Sequence, residues 1–77
     1  MPAILRVRGY RFFFFSMESR EPPHIHVARV GRYAKFWLEP ITLAGVRGFR
    51  SQELTEIRQI VVKNRKPFLR RWHEYFG

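Results

Sequence analysis

Apolar and polar residues alternate over the first part of the chain, in the pattern typical of half-buried β-strands. Residues 4–8 alternate apolar and basic side chains, and residues 11–15 follow a turn signal at Gly9. We predict a hairpin with a two-residue turn at Gly9-Tyr10, in which Arg8 pairs with Arg11. Paired residues of neighbouring strands share a face. The predicted apolar face contains Leu5, Val7, Phe12 and Phe14, and the predicted basic and aromatic face contains Arg6, Arg8, Arg11, Phe13 and Phe15.

A second hairpin is predicted from strands at residues 24–30 and 33–38. Gly31 suits the first central position of a two-residue type II′ turn, and this register pairs His26 with Trp37. A three-residue turn would put the histidines on the apolar face, so the two-residue turn separates apolar from polar side chains better. The predicted apolar face contains Ile25, Val27, Ala34, Phe36 and Leu38, and the opposite face contains His24, His26, Lys35 and Trp37, with Glu39 near His24.

The second half of the chain has helical periodicity after a predicted loop at residues 41–50. Ser51 is a suitable N-cap for a first helix, and residues 64–67 should break or kink the helix before a second one follows. The expected buried positions are Leu54, Ile57, Ile60, Val61, Phe68, Leu69, Trp72 and Phe76. We therefore predict a single α+β domain over residues 1–77. It has a four-stranded antiparallel sheet of two hairpins within residues 3–38, followed by two C-terminal helices within residues 51–76 that pack on one face.

Composition limits the classes of function. The chain has 77 residues, 15 Lys and Arg against 6 Asp and Glu, and a formal net charge of +9, which should attract polyanions or an acidic partner. It has no cysteine, so disulfides and thiolate zinc sites are excluded. Arginines interrupt the N-terminal apolar region, and the longest apolar run is far shorter than the roughly 20 residues that span a bilayer. We expect a cytoplasmic protein without a membrane partner.

Residues 21–27, Glu-Pro-Pro-His-Ile-His-Val, contain two of the three histidines. Each proline fixes its own φ and disfavours the helical region for the residue before it, so the segment enters the strand extended. Side chains alternate between faces in a strand. His24 and His26 therefore project together on the face of Lys35 and Trp37, which we expect to be exposed. Because imidazole titrates near neutral pH, this pair is the candidate chemistry of the chain.

Four interpretations of this candidate site stay open. The histidines are ordinary strand residues, hydrogen-bonded or exposed and stacked on Trp37, or they are the acid and base of a metal-independent ribonuclease. As metal ligands they would need a third or fourth ligand from Glu21, Glu39 or His73. In the fourth interpretation the chain attaches to a membrane surface through its basic and aromatic last helix.

The ribonuclease interpretation assigns a role to each residue of the histidine face. His24, His26 and Lys35 are the candidate catalytic residues, because the imidazoles can move protons and a cation can stabilise charge on the phosphate. Basic residues contact phosphates, and aromatic rings on a sheet stack on bases. The candidate nucleic-acid-binding residues are Arg6, Arg8, Arg11, Phe13, Phe15 and Trp37. This interpretation includes no cofactor and no metal.

Four segments together form a recognisable pattern: Arg-Phe-Phe-Phe-Phe-Ser at residues 11–16, the histidine segment at 21–27, Ala-Lys-Phe-Trp-Leu at 34–38 and Trp-His-Glu-Tyr-Phe at 72–76. They resemble a small bacterial family, the domain-of-unknown-function family numbered four-one-six-zero, over nearly the whole chain. The family commonly has Asn where this chain has His73, so the resemblance points to the other two histidines.

The resemblance also implies a partner. Members of the family are often encoded beside another small protein, an arrangement similar to toxin–antitoxin pairs, which implies an acidic, antitoxin-like partner encoded nearby. We therefore expect a toxin-like basic protein that binds RNA through the histidine face and cleaves it if the histidines are catalytic. The alternative is a non-enzymatic interaction module that binds an acidic partner protein.

Overall fold

The computed structural model describes residues 3–15 and 20–77 of the chain. This part contains β1 (Ala3–Val7), β2 (Tyr10–Phe13), β3 (His24–Arg29), β4 (Arg32–Leu38), β5 (Ile41–Arg47), α1 (Ser51–Lys63) and α2 (Arg65–Phe76). The strands form one antiparallel sheet in chain order, β1-β2-β3-β4-β5. The predicted α+β class with two C-terminal helices is confirmed, but the sheet has five strands rather than four. Within the described residues, neither helix is long and apolar enough to cross a membrane.

The fifth strand, β5, occupies most of the predicted loop. Pro40 ends β4 as expected, but it does so in a two-residue turn, with a cis Glu39–Pro40 peptide, that leads directly into β5. Gly45 follows a β-bulge, at which Ala44 has no paired residue in β4. The loop prediction was wrong because Gly and Pro were interpreted as breakers, whereas a glycine inside a strand is also typical of a bulge.

Both hairpin turns begin one residue earlier than predicted. The turns consist of residues 8–9 and 30–31, not of Gly9-Tyr10 and Gly31-Arg32. The φ values are 53° and 83° in the first turn and 39° and 76° in the second. Positive φ at both central positions defines a type I′ turn, so the prediction of type II′ for the second hairpin was wrong.

Apart from Arg8, which lies in the first turn, the strand side chains keep the predicted division between the two faces. When a two-residue turn moves by one residue, each residue of the first strand pairs with the residue two positions away from its predicted partner. Residues two apart in a strand point to the same face, so each side chain stays on its predicted face. His26 pairs with Lys35, and His24 pairs with Trp37. These four side chains lie on one face of the sheet, as predicted.

The two helices pack on the apolar face of the sheet. α1 begins at Ser51, and its N-cap is Arg50 rather than the predicted Ser51. Glu53 Oε1 accepts a hydrogen bond from the Arg50 backbone N–H at 3.0 Å. Asn64 is the only residue between the two helices. Its backbone N–H donates to the last turn of α1 and its carbonyl oxygen accepts from the first turn of α2, so one residue is sufficient to connect them. The core consists of Tyr10, Phe12, Phe14, Ile25, Val27, Ala34, Phe36, Leu38, Phe49, Ile57, Ile60, Val61, Phe68 and Trp72.

Candidate functional site

The sheet face opposite the helices arranges its side chains in three rows that cross the strands. Strand pairing gives the first row as Arg6, Arg11, Ala28, Tyr33 and Arg47; the second as Phe13, His26, Lys35 and Gly45; and the third as His24, Trp37 and Thr42. We call these twelve residues the platform. Both histidines and most of the sequence-predicted binding residues are therefore brought together on one surface.

His26 lies at the centre of the platform and is 3% exposed. Its ring stacks on Phe13 and Tyr33, with centroids 5.5 and 5.7 Å away, and Phe15 approaches to 4.5 Å. Its Nδ1 is 2.6 Å from the Tyr33 hydroxyl oxygen, a hydrogen-bonding distance. The ring is therefore enclosed by aromatic side chains of the neighbouring strands and held by a hydrogen bond.

His24 is completely buried at the start of β3. Its Nδ1 is 2.9 Å from the carbonyl oxygen of Pro22, and because a carbonyl oxygen only accepts, Nδ1 has the proton. The rings of Trp37, Trp72 and His26 surround the imidazole, with centroids 5.6, 4.8 and 5.0 Å away. The two prolines hold this residue in place. The carbonyl oxygen of Pro22 accepts from the imidazole, and the carbonyl oxygen of Pro23 accepts from the backbone N–H of Leu38 at 3.0 Å.

The expectation of an exposed histidine pair was wrong. Aromatic rings from β2 and β4 cover His26, whereas His24 lies between Trp37 of β4 and Trp72 of α2. Strand alternation predicts only the face to which a side chain points, and it does not show how large neighbouring side chains close over that face. The two rings are 5.0 Å apart and nearly perpendicular, at 88°.

Lys35 lies beside the histidines in the second row, but its ammonium group has other partners. Its Nζ is 2.5 Å from Glu21 Oε1 and 4.6 Å from the centroid of the Trp37 ring. This geometry combines an ion pair with a cation–π contact. The predicted catalytic cation is therefore already neutralised by a carboxylate that was considered only as a metal ligand.

Arg6 and Arg11 are exposed and pair directly with each other across β1 and β2. The Arg11 guanidinium lies 5.0 Å from the centroid of the Phe13 ring, which is itself 8% exposed. Phe15 is 48% exposed and Trp37 is half-buried. The platform thus combines unburied cations with partly accessible aromatic rings.

Two predicted binding residues are not among the twelve of the platform: Phe15 follows β2 and contacts His26 at its edge, and Arg8 lies elsewhere. Arg8 belongs to the first turn, and its guanidinium donates a hydrogen bond of 2.9 Å to Glu56 Oε2 on α1. Its assignment to the basic face was wrong because the turn begins at Arg8 rather than at Gly9. The Tyr10 hydroxyl and, less strongly, the Arg8 guanidinium hold the pKa of Glu56 below its usual value.

Tyr33 and Arg47 are among the platform residues that the sequence interpretation missed. Tyr33 lies on the predicted histidine face, yet its hydroxyl was given no role; only the structure shows that it reaches His26 Nδ1. Arg47 was missed because β5 was predicted as a loop. The missed signal for β5 is Ile-Thr-Leu-Ala after Pro40, a short run with two strand-favouring residues.

The platform arginines differ from the basic residues on the other side of the sheet in their ion pairs. Arg8, Arg32 and Arg65 pair with Glu56, Glu53 and Glu39 at 2.9, 2.7 and 3.6 Å. Among the described residues, Arg6, Arg11 and Arg47 have no such carboxylate. A search of the same residues finds no group of three or more His, Asp or Glu side chains arranged to hold a metal ion.

Comparison with known proteins identifies the family. A family model described as "Domain of unknown function (DUF4160)" matches residues 9–73, which extend from the first turn almost to the end of α2. The chain belongs to the DUF4160 family. No curated protein and no solved structure matches it. The resemblance inferred from the sequence is confirmed, and because the family description names no activity, the function of this DUF4160 protein is argued from its platform.

Proposed function

We propose that this DUF4160 protein binds single-stranded RNA in the cytoplasm through the platform. The pairing of Arg6 with Arg11 supports this function most directly. Like charges directly opposite each other in a sheet are destabilising, at a cost on the order of the 0.2–1 kcal/mol that cross-strand pairs contribute. The Arg11 guanidinium contacts the Phe13 ring, at 5.0 Å from its centroid, but among the described residues no carboxylate neutralises either arginine. An unrelieved local conflict of this kind is typical of a functional site. A phosphate between the two guanidinium groups would compensate this repulsion.

The aromatic residues supply the second part of a binding surface for RNA. Phe15 and Trp37 expose ring surface, and the half-buried Tyr33 lies between Ala28 and Arg47 in the first row. Unpaired bases stack on such rings, each stack contributing about 1–3 kcal/mol. The small side chains at Ala28 and Gly45 leave space beside the rings. This arrangement favours a flexible single strand over a duplex, whose bases are already stacked.

The histidines support the proposal as positioning residues. A 2′-hydroxyl needs to come within hydrogen-bonding distance of a catalytic imidazole, and rings that are 0% and 3% exposed do not offer that access. His26 instead holds Tyr33 and stacks on Phe13, so it orients the rings on which bases would lie. Binding is therefore better supported than cleavage, which stays the weaker part of the hypothesis.

A second candidate function is supported by the outer surface of α2. Lys66, Arg70 and Arg71 are exposed on this helix, and the formal net charge of the chain is +9. An acidic, antitoxin-like protein encoded nearby would complement this surface and make the chain the toxin-like member of a pair. Co-expression with the product of the adjacent gene should then give a complex that weakens with salt. Separate elution of the two proteins at low ionic strength would exclude this candidate.

Salt-dependent binding of a labelled, unstructured RNA oligonucleotide tests the first proposal. Each phosphate contact to a single strand contributes about 0.7 to the slope of log affinity against log salt. Arg11→Gln should lower that slope by about this amount, whereas the matched control Arg70→Gln on α2 should leave it unchanged. An equal effect of both substitutions would show that net charge alone binds RNA and would contradict the platform proposal. Gels of the same samples report whether the RNA is cleaved.

A further inference from the structure

The three arginines of the platform all lie in its first row. Arg6, Arg11 and Arg47 are exposed, and strand pairing places them on β1, β2 and β5. The second row contains one cation, Lys35, which is already neutralised by Glu21, and the third row contains no lysine or arginine. The positive charge that the platform offers to phosphates is therefore concentrated along one line across the sheet.

The first row crosses all five strands, from Arg6 on the edge strand β1 to Arg47 on the edge strand β5. Neighbouring strands are about 4.8 Å apart, so the Cα atoms of Arg11 and Arg47, three strands apart, are separated by about 14 Å. Side chains stand roughly perpendicular to a sheet, so the two guanidinium groups face different phosphates of a bound chain. Ala28 and Tyr33 lie between them, a small side chain followed by a ring.

Apart from Tyr33 in the row itself, the partly accessible rings lie on one side of the first row. Trp37 lies in the third row, and Phe15 follows the end of β2. At Gly45 of the second row the surface is open, because an added Cβ would meet no atom within 4 Å. On the other side of the first row the sheet ends in the two hairpin turns, which contain no aromatic residue. We therefore expect the bases of a strand that follows the row to extend over the second and third rows.

We propose that the bound RNA crosses the sheet along the first row, at right angles to the β-strands, with its phosphates on the arginines. This inference rests on the proposed function and adds the path of the RNA, a further phosphate contact at Arg47 and the class of RNA. Both ends of the row lie on edge strands, so the bound RNA leaves the sheet on both sides. The substrate is therefore an internal single-stranded segment rather than an RNA end. A path along β2, from Arg11 towards Phe15, would instead leave Arg47 without a phosphate.

Disulfide trapping of end-labelled RNA tests the path. The chain has no cysteine, so Arg6→Cys and Arg47→Cys each introduce a single thiol, and each keeps the arginine at the other end of the row. A short oligouridine carries an activated disulfide on a short linker at its 5′ or its 3′ end. One variant should be trapped several-fold faster by the 5′-linked RNA and the other by the 3′-linked RNA, because each linker reaches only the nearer thiol. Val62→Cys, on α1 at 53% exposure, should react slowly and equally with both.

The outcomes separate the path from the function on which it rests. If both variants are trapped by the same end of the RNA, or neither shows a preference, the path is wrong although the platform still binds RNA. If the wild-type chain does not bind the oligouridine, the proposed function fails together with the path.

Salt dependence and circular RNA test the same path without covalent chemistry. Arg47→Gln should lower the slope of log affinity against log salt by about 0.7, the contribution of one phosphate contact. The control Arg58→Gln, exposed on α1, should leave the slope unchanged. An unchanged slope for Arg47→Gln beside a lowered slope for Arg11→Gln would show that RNA crosses the platform by another path. A circular oligouridine should bind as tightly as a linear one of the same length, and a clear preference for the linear form would contradict binding of internal segments.

Discussion

Replacement of His26 by alanine tests whether this histidine stabilises the fold or is an exposed residue that the fold does not need. The substitution removes a ring that is 3% exposed, that Phe15 approaches to 4.5 Å, and that bonds the Tyr33 hydroxyl at 2.6 Å. The loss of packing and the loss of this hydrogen bond both destabilise the fold. Large-to-small substitutions of buried rings cost about 3–5 kcal/mol for Phe and Trp. For the smaller imidazole, including its hydrogen bond, we expect about 2–4 kcal/mol.

This loss is large relative to the stability of so short a chain. A domain of this length has a free energy of unfolding of about 4–12 kcal/mol. The expected loss should therefore lower the melting temperature by roughly 10–30 °C. Thermal and urea denaturation followed by circular dichroism give the melting temperature and the free energy of unfolding. Tyr33→Phe removes only the hydroxyl and should cost about 1–2 kcal/mol.

The same substitution at another histidine gives the matched control. His73 is exposed on α2, so His73→Ala should change the free energy of unfolding by no more than about 0.5 kcal/mol. If His26→Ala melts within a few degrees of the His73→Ala control, then His26 is not a structural residue. The hypothesis of an exposed, catalytic pair would then regain support. If His26→Ala is destabilised as expected, its RNA affinity should be compared at a temperature at which the variant is folded.

Three further predictions concern titrating groups and turns. The pKa of Glu56 is lowered in the folded state, chiefly by the Tyr10 hydroxyl, so its stabilising contribution is present above pH 4.5 and lost as the pH falls through its folded value. The melting temperature should fall in that acidic range, and less so in Glu56→Gln. Burial raises the pKa of Tyr10 above its usual 10.0, so its contribution should be lost as the pH rises beyond that value, and Tyr10→Phe should show a smaller alkaline loss. Gly48 has a φ of 87°, and an added Cβ would lie 3.1 Å from an Arg32 carbon, so Gly48→Ala should cost about 1–2 kcal/mol in a urea titration. Gly45→Ala, whose Cβ would meet no atom within 4 Å, should stay within about 0.5 kcal/mol of the wild type, and equal losses would contradict the strain argument.

The sequence by itself determined the two faces of the hairpins and the positions of the helices. Alternation with a period of two and recurrence at helical spacing are local patterns, and neither depends on the rest of the fold. The faces stayed correct although both turns were misplaced, because each pairing moved by an even number of residues. The Pro-Pro-His-Ile-His segment was sufficient to place both imidazoles on one face and, with the other segments, to identify the family.

Only the tertiary structure decided whether those imidazoles are accessible. The burial of His26 depends on Phe13, Phe15 and Tyr33. The burial of His24 depends on Trp37 and Trp72. These rings are distant in sequence or lie across a strand pair, so no local pattern predicts the burial. The same holds for Lys35, whose charge is paired by Glu21, a residue 14 positions away. β5 became a strand because β4 offers it a complete set of backbone partners from Tyr33 to Leu38. Strand formation and burial both depend on contacts between segments, and the free energy of those contacts exists only once the segments have been brought together.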